Sequence, residues 1–396
     1  MRIVAALCIT SFTTVSTLAE KFEPAPVFDY FVPQFESIVR YDDNVYTSDV
    51  KSESSFITYL MPSIKVRNNG VVNRYGGEYK LISSFYSDGV DDSDDVSDHL
   101  FSLFSYNEYT SRHRTAVDLS YDKLHENRGS GLTEDLNFSL VKSPIQYDDF
   151  DGRLYYQFGG LRAKMRIGAG ISYHDKQYNN YKDITKHKDL DKTTFLADVD
   201  YQAGDITFLT FDLSSADISY KYTSPGSESK NNKDNRFLVG VSWRGVSKIH
   251  GSAKFGYQHK KYDEYKQGRD DFNGFTTSVT INWKPIQRST LSLVTSRSAE
   301  ESATVGDYIN NVSGTLGWEH EWSYKIDTSL QFSYQDKDYV GAERRDKISD
   351  FNTEVVYGLS RRLNLALGYN YTNSDSNVDN VSYDRNVFNF SFKVSL

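Results

Sequence analysis

The chain of 396 residues holds one cysteine, Cys8, seven prolines and three methionines. A single thiol excludes an intrachain disulfide framework. No apolar run reaches the eighteen or more residues that a membrane-spanning helix needs, so any crossing of a bilayer must be made by other means. Several signatures of chemistry are also absent. There is no Gly-x-Ser-x-Gly elbow, no His-Glu-x-x-His pair and no dinucleotide glycine pattern. The eight histidines are scattered, and His125 beside Glu126 and Arg128 and His174 beside Asp175 are the least implausible catalytic sites. Both read more simply as polar rim residues, so the expectation is a chain that is not an enzyme and carries no cofactor. No basic cluster suits nucleic acid.

What is present points to strands. Thirty tyrosines, 24 phenylalanines and four tryptophans make the chain 15% aromatic, a bias that favours β structure over helix. The net charge of -9 and a mean hydropathy of -0.59 would pass for a soluble acidic protein. The first residues argue otherwise. Arg2, the short apolar run Ile3 to Val15 and the small residues at Thr17-Leu18-Ala19 form a secretory signal peptide over residues 1–19. Cys8 lies inside it and, with bulky Leu7 before it, does not read as a lipid attachment site. Residues 20–31 then form a short periplasmic segment, and 32–396 a single domain.

That domain alternates. Phe388, Phe390, Phe392, Val394 and Leu396 share one face of the last segment, against Val387, Asn389, Ser391, Lys393 and Ser395. Strict period two over such a length is a strand with one apolar face. Tyr324, Ile326, Thr328, Leu330, Phe332 and Tyr334 repeat the pattern, with tyrosine at both ends as interfacial anchors require. Segments beginning at Ala163, Phe195, Phe275 and Leu363 do the same, whereas Leu100 to Tyr106 and Thr207 to Leu213 carry apolar residues in both phases.

Short breaks, such as Asn68-Asn69-Gly70, Gly159-Gly160, Ala203-Gly204-Asp205 and Pro285-Ile286-Gln287, alternate with long Asp-, Asn-, Ser- and Lys-rich stretches. The long ones include Lys123 to Gln146, Asp175 to Lys192, Ser298 to Ile309 and Asp336 to Lys347. Lipid offers no partner to an open sheet edge, so apolar strands in a bilayer must close on themselves. The pattern therefore predicts an all-β, antiparallel, up-and-down transmembrane barrel of about eighteen strands, sixteen being acceptable, each of roughly 9–11 residues, with tight periplasmic turns and long outside loops. A soluble propeller shares the repeat length of about forty residues but needs four shorter strands in each.

Two stretches carry a family resemblance. Tyr41-Asp42-Asp43-Asn44-Val45-Tyr46 with Leu60-Met61-Pro62-Ser63-Ile64, and Asp375-Ser376 with Tyr383-Asp384-Arg385-Asn386 and the strand to Leu396, resemble the opening and closing motifs of the putative β-barrel porin 2 family. The likeness extends over nearly the whole chain after the signal. It implies an outer-membrane barrel associated with exopolysaccharide or capsule production, with a part in passing polymer to the cell surface. The resemblance, not the periodicity, supplies the polysaccharide. The chain departs from the usual pattern in ending on Leu396 rather than phenylalanine. Phe388, Phe390, Phe392, Val394 and Leu396 are nevertheless expected to serve as the C-terminal signal for the outer-membrane insertion machinery.

The opposite phase of the strands defines the expected lumen wall. Arg153, Lys164, Arg166, Arg244, Lys254, Lys260, Lys284, Lys325, Arg362 and Lys393 fall on it, with Asp118, Asp198, Asp200, Glu319, Glu321, Asp327 and Glu354. A locally basic lumen would favour an anionic solute such as a uronic-acid polymer, whereas charges paired between strands would only keep the lumen wet. Tyr59, Tyr86 and Tyr155 also fall on the polar phase and are candidates for stacking on sugar rings. Most other aromatics, Trp283, Trp318, Trp322, Tyr369 and Tyr371 among them, read as interfacial girdle.

The run Asp88, Asp91, Asp92, Asp94, Asp95 and Asp98 reads as solvated loop rather than a metal site. The apolar alternation Leu136, Phe138, Leu140 within Lys123 to Gln146 fits either an outside hairpin or a loop folded into the lumen. Partners expected on these grounds are outer-membrane lipid and lipopolysaccharide, the insertion machinery, and a polysaccharide with its synthesis and export apparatus. The functional expectation is passive conduction of a secreted polysaccharide across the outer membrane, against a general or anion-preferring diffusion porin and a structural or adhesive barrel with a plugged lumen.

Overall fold

The computed structural model describes residues 31–395 except 51, 71, 88–93, 135–140, 162, 245–247, 303 and 379. The signal peptide, most of the segment after it, Asp88, Asp91, Asp92, the apolar trio Leu136, Phe138 and Leu140, and Leu396 lie outside the described residues.

Alternation becomes eighteen strands. They are β1 (Phe31–Asp42), β2 (Ser55–Asn69), β3 (Asn73–Tyr86), β4 (Val96–Thr110), β5 (His113–Glu126), β6 (Ile145–Phe158), β7 (Met165–Tyr178), β8 (Leu190–Gln202) and β9 (Thr207–Tyr220). The second half comprises β10 (Asn232–Trp243), β11 (Ile249–Tyr262), β12 (Phe272–Ile286), β13 (Ser289–Glu301), β14 (Tyr308–Glu321), β15 (Ile326–Val340), β16 (Arg344–Gly358), β17 (Leu363–Ser376) and β18 (Tyr383–Ser395). Each pairs antiparallel with its neighbours in sequence, and β1 pairs with β18, from Gln34 opposite Ser395 to Asp42 opposite Val387. The barrel is closed. Every strand therefore has partners on both sides, as an apolar medium demands.

The two phases separate as the side chains require. Phe195, Phe211, Phe255, Leu316, Leu367, Phe388 and Phe390 are exposed on the outer face, where lipid replaces water. Trp318 and Trp322 flank His320 at the turn-bearing rim, with ring centroids 5.5 and 4.4 Å from the imidazole, forming part of an interfacial girdle. The doubtful segments resolve the same way. Phe101, Leu103, Leu209, Phe211 and Leu213 face outward, while Leu100, Phe104 and Phe208 are turned inward against other side chains. Phe208 is held there by two cations, the guanidinium carbons of Arg166 and Arg244 lying 4.6 and 4.9 Å from its ring centre.

Two expectations need correction. The strands run 12 to 15 residues rather than 9–11, so they extend past the apolar band on the long-loop side. The stretch Asp336 to Lys347 is not a long loop: β15 and β16 continue to a turn at 341–343, with Gly341 and Glu343 at φ 86° and 50°. The polar composition there misleads because the extended strands stand in water and are stitched by charge. Arg345 donates to both oxygens of Asp336 at 2.8 and 2.6 Å on the outer face.

The two family motifs meet. Asp42, fully buried, accepts two hydrogen bonds from Arg385 Nε at 3.0 and 3.1 Å and a further one from its terminal nitrogen. Asp43 accepts from the Asn386 amide and side chain at 2.7 Å each, and Asn44 donates to the Asp384 carbonyl at 2.9 Å. Residues 343 apart in sequence thus clasp the β1–β18 seam at its outer end. Charge-assisted, bidentate bonds of this kind are the strong ones.

Candidate functional site: the lumen and its outer mouth

The inward phase of eighteen strands encloses a lumen of the size that carries water unless loops fill it. Its wall is charged in pairs. Arg244, just past β10, forks onto Asp200 of β8 at 2.6 and 3.0 Å, and Arg166 of β7 approaches the same carboxylate at 3.6 Å. Lys254 pairs with Asp212, Lys393 with Glu36 at 3.3 Å, and Lys65 with Glu78 at 3.1 Å. Tyr155 donates to Asp198 at 2.7 Å, and Gly168 leaves room for that phenol: a Cβ on Gly168 would stand 1.8 Å from its oxygen. Tyr59 accepts from Arg40 at 3.0 Å.

The lumen-lining residues read from sequence divide into two groups. Arg153, Arg166, Lys254, Lys284, Lys393, Tyr59 and Tyr155 lie on inward phases of strands, with Arg244 one residue beyond. Lys164, Lys325 and Arg362 lie in the short turns that precede β7, β15 and β17, at the rim rather than on the wall. Lys325 rests over the rings of Tyr324 and Tyr357, 5.6 and 5.9 Å from their centres, on the outer side of that rim. Phe388, Phe390, Phe392 and Val394 share the outward phase of β18.

One group of described residues offers metal-ligand atoms together. Asp149, Asp151 and His174 hold theirs within 4.8 Å of one another, and the imidazole Nδ1 lies 3.3 and 3.1 Å from the two carboxylates. The acidic loop does not make such a site from its described members. Asp94 pairs with Arg128, Asp98 with His125 at 2.8 Å, and Asp95 accepts the Tyr86 amide at 2.8 Å.

The outer mouth is where sequence reasoning saw least. Tyr86, Tyr178, Tyr220, Tyr262 and Tyr383 stand at the outer ends of β3, β7, β9, β11 and β18, and Tyr339 next to the end of β15. All face inward. Each marks the boundary between a strand and an outside connection, a position the sequence does show, and two loops fold in against this aromatic ring. The β5–β6 loop turns inward at Glu126, whose carboxylate accepts from Tyr178 Oη at 2.6 Å and from the Leu132 amide at 3.0 Å. It passes Thr47, which donates to the Gly129 carbonyl at 2.7 Å. Gly129 is required there, because its φ is +70° and a Cβ would meet the Tyr46 carbonyl oxygen at 1.7 Å. The loop then reaches Arg344 of β16, which donates to Glu134 at 2.9 Å. β1 to β4, β17 and β18 stand between these partners around the wall, so the loop spans the mouth. Burial outweighs the guanidinium and raises the Glu134 carboxyl above its ordinary pKa.

The outer end of β13 and the β13–β14 loop fold in from the other side. Ala299 exchanges hydrogen bonds with Gln258 of β11 at 2.9 and 2.8 Å. Glu301 accepts from Lys260, from Tyr220 Oη at 2.6 Å and from Asn232 at 3.2 Å. Lys188, in the β7–β8 connection that also holds the short helix α1 (Lys182–Thr185), donates to the carbonyls of Ser302 and Thr304 at 3.1 and 3.0 Å. Lys230 of the β9–β10 loop donates to Gly306 at 2.7 Å. Burial, reinforced by mutual repulsion with Lys230, pushes the Lys188 ammonium down to about 8, and burial lowers that of Lys230.

A closed barrel with a lipid-facing row, interfacial aromatics and a polar, loop-narrowed lumen defines an outer-membrane β-barrel of porin type. The chain belongs to the putative β-barrel porin 2 family, whose model matches residues 30–396. No curated protein matches it. Among solved structures it is similar to the FrpB iron transporter of Neisseria meningitidis (F5-1 variant), at 9% identity and a TM-score of 0.51, over 90% of this chain and 64% of that one. It is also similar to the outer membrane protein opdK of Pseudomonas aeruginosa, at 10% identity and a TM-score of 0.47, over 92% of this chain and 99% of that one. The chain thus spans under two thirds of the length of FrpB, and the likeness is one of fold.

Proposed function

We propose that this barrel is the outer-membrane conduit for a secreted polysaccharide, exported after cleavage of residues 1–19 and driven by partners in the inner membrane. The observation that carries the reading is the inward tyrosine ring at the outer mouth. Phenol faces give sugar rings an apolar surface and their hydroxyls a hydrogen-bond partner, whereas a pore for small ions needs neither. Two loops drawn across the mouth suit a conduit that opens for a polymer and otherwise limits leakage. Among the described residues nothing in the wall resembles a nucleotide site, which supports reading transport through this chain as passive. The row Phe388 to Val394 is the part offered to the insertion machinery.

Deletion of the gene and measurement of polymer in the medium tests the reading. Loss of secreted polymer with synthesis intact is expected. Unchanged secretion sinks it and leaves a diffusion porin or a plugged surface barrel. Conductance in planar bilayers then separates those two.

A further inference from the structure

The β13–β14 loop rests on a bed of lysines. Lys188, Lys230 and Lys260 come from the β7–β8 loop, the β9–β10 loop and β11, and Tyr220 and Tyr262 stand among them. What these groups hold is one carboxylate, that of Glu301 at the end of β13, and three neutral oxygens of the loop that follows it, the carbonyls of Ser302, Thr304 and Gly306. Cations outnumber the carboxylates in reach. Among the described residues only Lys260 of the three has a carboxylate within ion-pair distance; Glu301 and Glu126 act on Lys188, and Asp307 and Glu301 on Lys230, from farther off, while Lys266 and Arg269 add to the positive charge. Half-buried ammonium groups set side by side and held only by neutral carbonyls carry a desolvation cost that a bound anion would offset.

We propose that this bed is a binding site for an anionic glycan and that the β13–β14 loop is the stand-in that fills it when no glycan is present. The oxygen pattern names the class of ligand. One carboxylate among several neutral oxygens is what a uronic-acid residue displays, a single acid with hydroxyls around a ring. Lysine ammonium groups act as point charges without a fixed fork, so they accept carboxylate and hydroxyl oxygens at varied angles, as a polymer sliding past requires. The phenols of Tyr220 and Tyr262 supply faces for the sugar rings. A polyuronate brings the missing negative charge, so it competes with the loop and releases it into the mouth. The site thus sets both substrate class and opening, and it rests on the polysaccharide reading above.

The test uses the chain from residue 20 onward in detergent or liposomes, with Thr304→Cys as its sole thiol. Maleimide labelling is followed with oligogalacturonate and with neutral maltooligosaccharide of equal length. The charged oligomer is expected to speed labelling by about fivefold or more, the neutral one to leave it unchanged, and added salt to erase the difference. Lys188→Gln with Lys230→Gln should abolish the response. Heat-dependent gel mobility reports whether that variant is folded, and if it is not, the salt titration of the parent chain stands in its place. No acceleration, equal acceleration by both sugars, insensitivity to salt, or a response that survives in the folded lysine variant each overturns the proposal. The conduit reading fails separately. Ligand-driven labelling with unchanged polymer secretion on gene deletion keeps the site and removes export, and the converse keeps export and removes the site.

Discussion

At the scale of single residues, what matters is which charges have lost water and what replaced it. Asp42 is the clearest case. Arg385→Met would leave its carboxylate buried with no cation, a cost of about 3–5 kcal/mol by analogy with other broken buried pairs. A lowered midpoint of heat-modified gel mobility is expected, and pairing the change with Asp42→Asn should restore much of the loss. A variant as stable as the parent would show that the seam does not depend on the pair. Glu134 behaves differently, because burial already raises its pKa despite Arg344. Glu134→Gln is therefore expected to keep the β5–β6 loop in place, while Arg344→Met, which strands both Glu134 and Asp346, loosens it. Spin-label mobility at Ser130 distinguishes the two outcomes. On the outer face, Leu367→Arg places a charge against lipid and should cost about 2–4 kcal/mol near the bilayer midplane. Unfolding of the barrel from liposomes in urea measures it.

The loops are the elements whose state varies. With the β13–β14 loop docked, burial holds Lys188 at about 8, and an undocked Lys188 returned to water would bind the proton more tightly. Between about pH 8 and the ordinary value of 10.5, the undocked form holds more protons, and docking gains as pH rises through that window. Lys230, also lowered, acts in the same sense; Glu301 at the end of β13 and Glu126 at the foot of the β5–β6 loop oppose this by favouring the charged Lys188, and Asp307 and Glu301 favour the charged Lys230, whereas Lys266 and Arg269 add to its lowering. A nitroxide at Thr304 should grow less mobile from pH 7.5 to 10. Greater mobility over that range would contradict the docked geometry. These elements also mark the limit of what the sequence shows. Strand phase is local, because neighbouring residues answer to lipid on one side and water on the other, and it was legible even where Gly168 and Gly170 interrupted it. The path of a loop is not local. Glu134 carries no sign of Arg344, 210 residues away, and the polar tips of β15 and β16 look like loop because water surrounds strand and loop alike.

For the whole molecule, closure, strand number and the alternation of short and long connections follow from the chain's pattern. So does the lumen phase of Arg153, Arg166, Lys254 and Lys393. What the pattern could not give was the pairing of those charges or the occupied mouth. Part of the lumen charge is satisfied between strands, as Arg244 with Asp200 and Lys254 with Asp212 show, and the half-buried lysines under the β13–β14 loop add a local positive excess at the mouth. Replacing 302–306 with a tight two-residue turn is accordingly expected to raise single-channel conductance several-fold while leaving the barrel folded. An unchanged conductance would place the limiting passage elsewhere, with the β5–β6 loop the next to remove.

The clasp at the seam has one more consequence, for synthesis. Its halves belong to the first and the last strands of the chain to be made, and Asp42 waits for Arg385 through everything between them. A chain that stopped a dozen residues early could form most of its hairpins, yet would keep an orphaned carboxylate and two unpaired edges. Completeness is thus registered at a single joint, where a truncated chain would lack the cation that Asp42 needs.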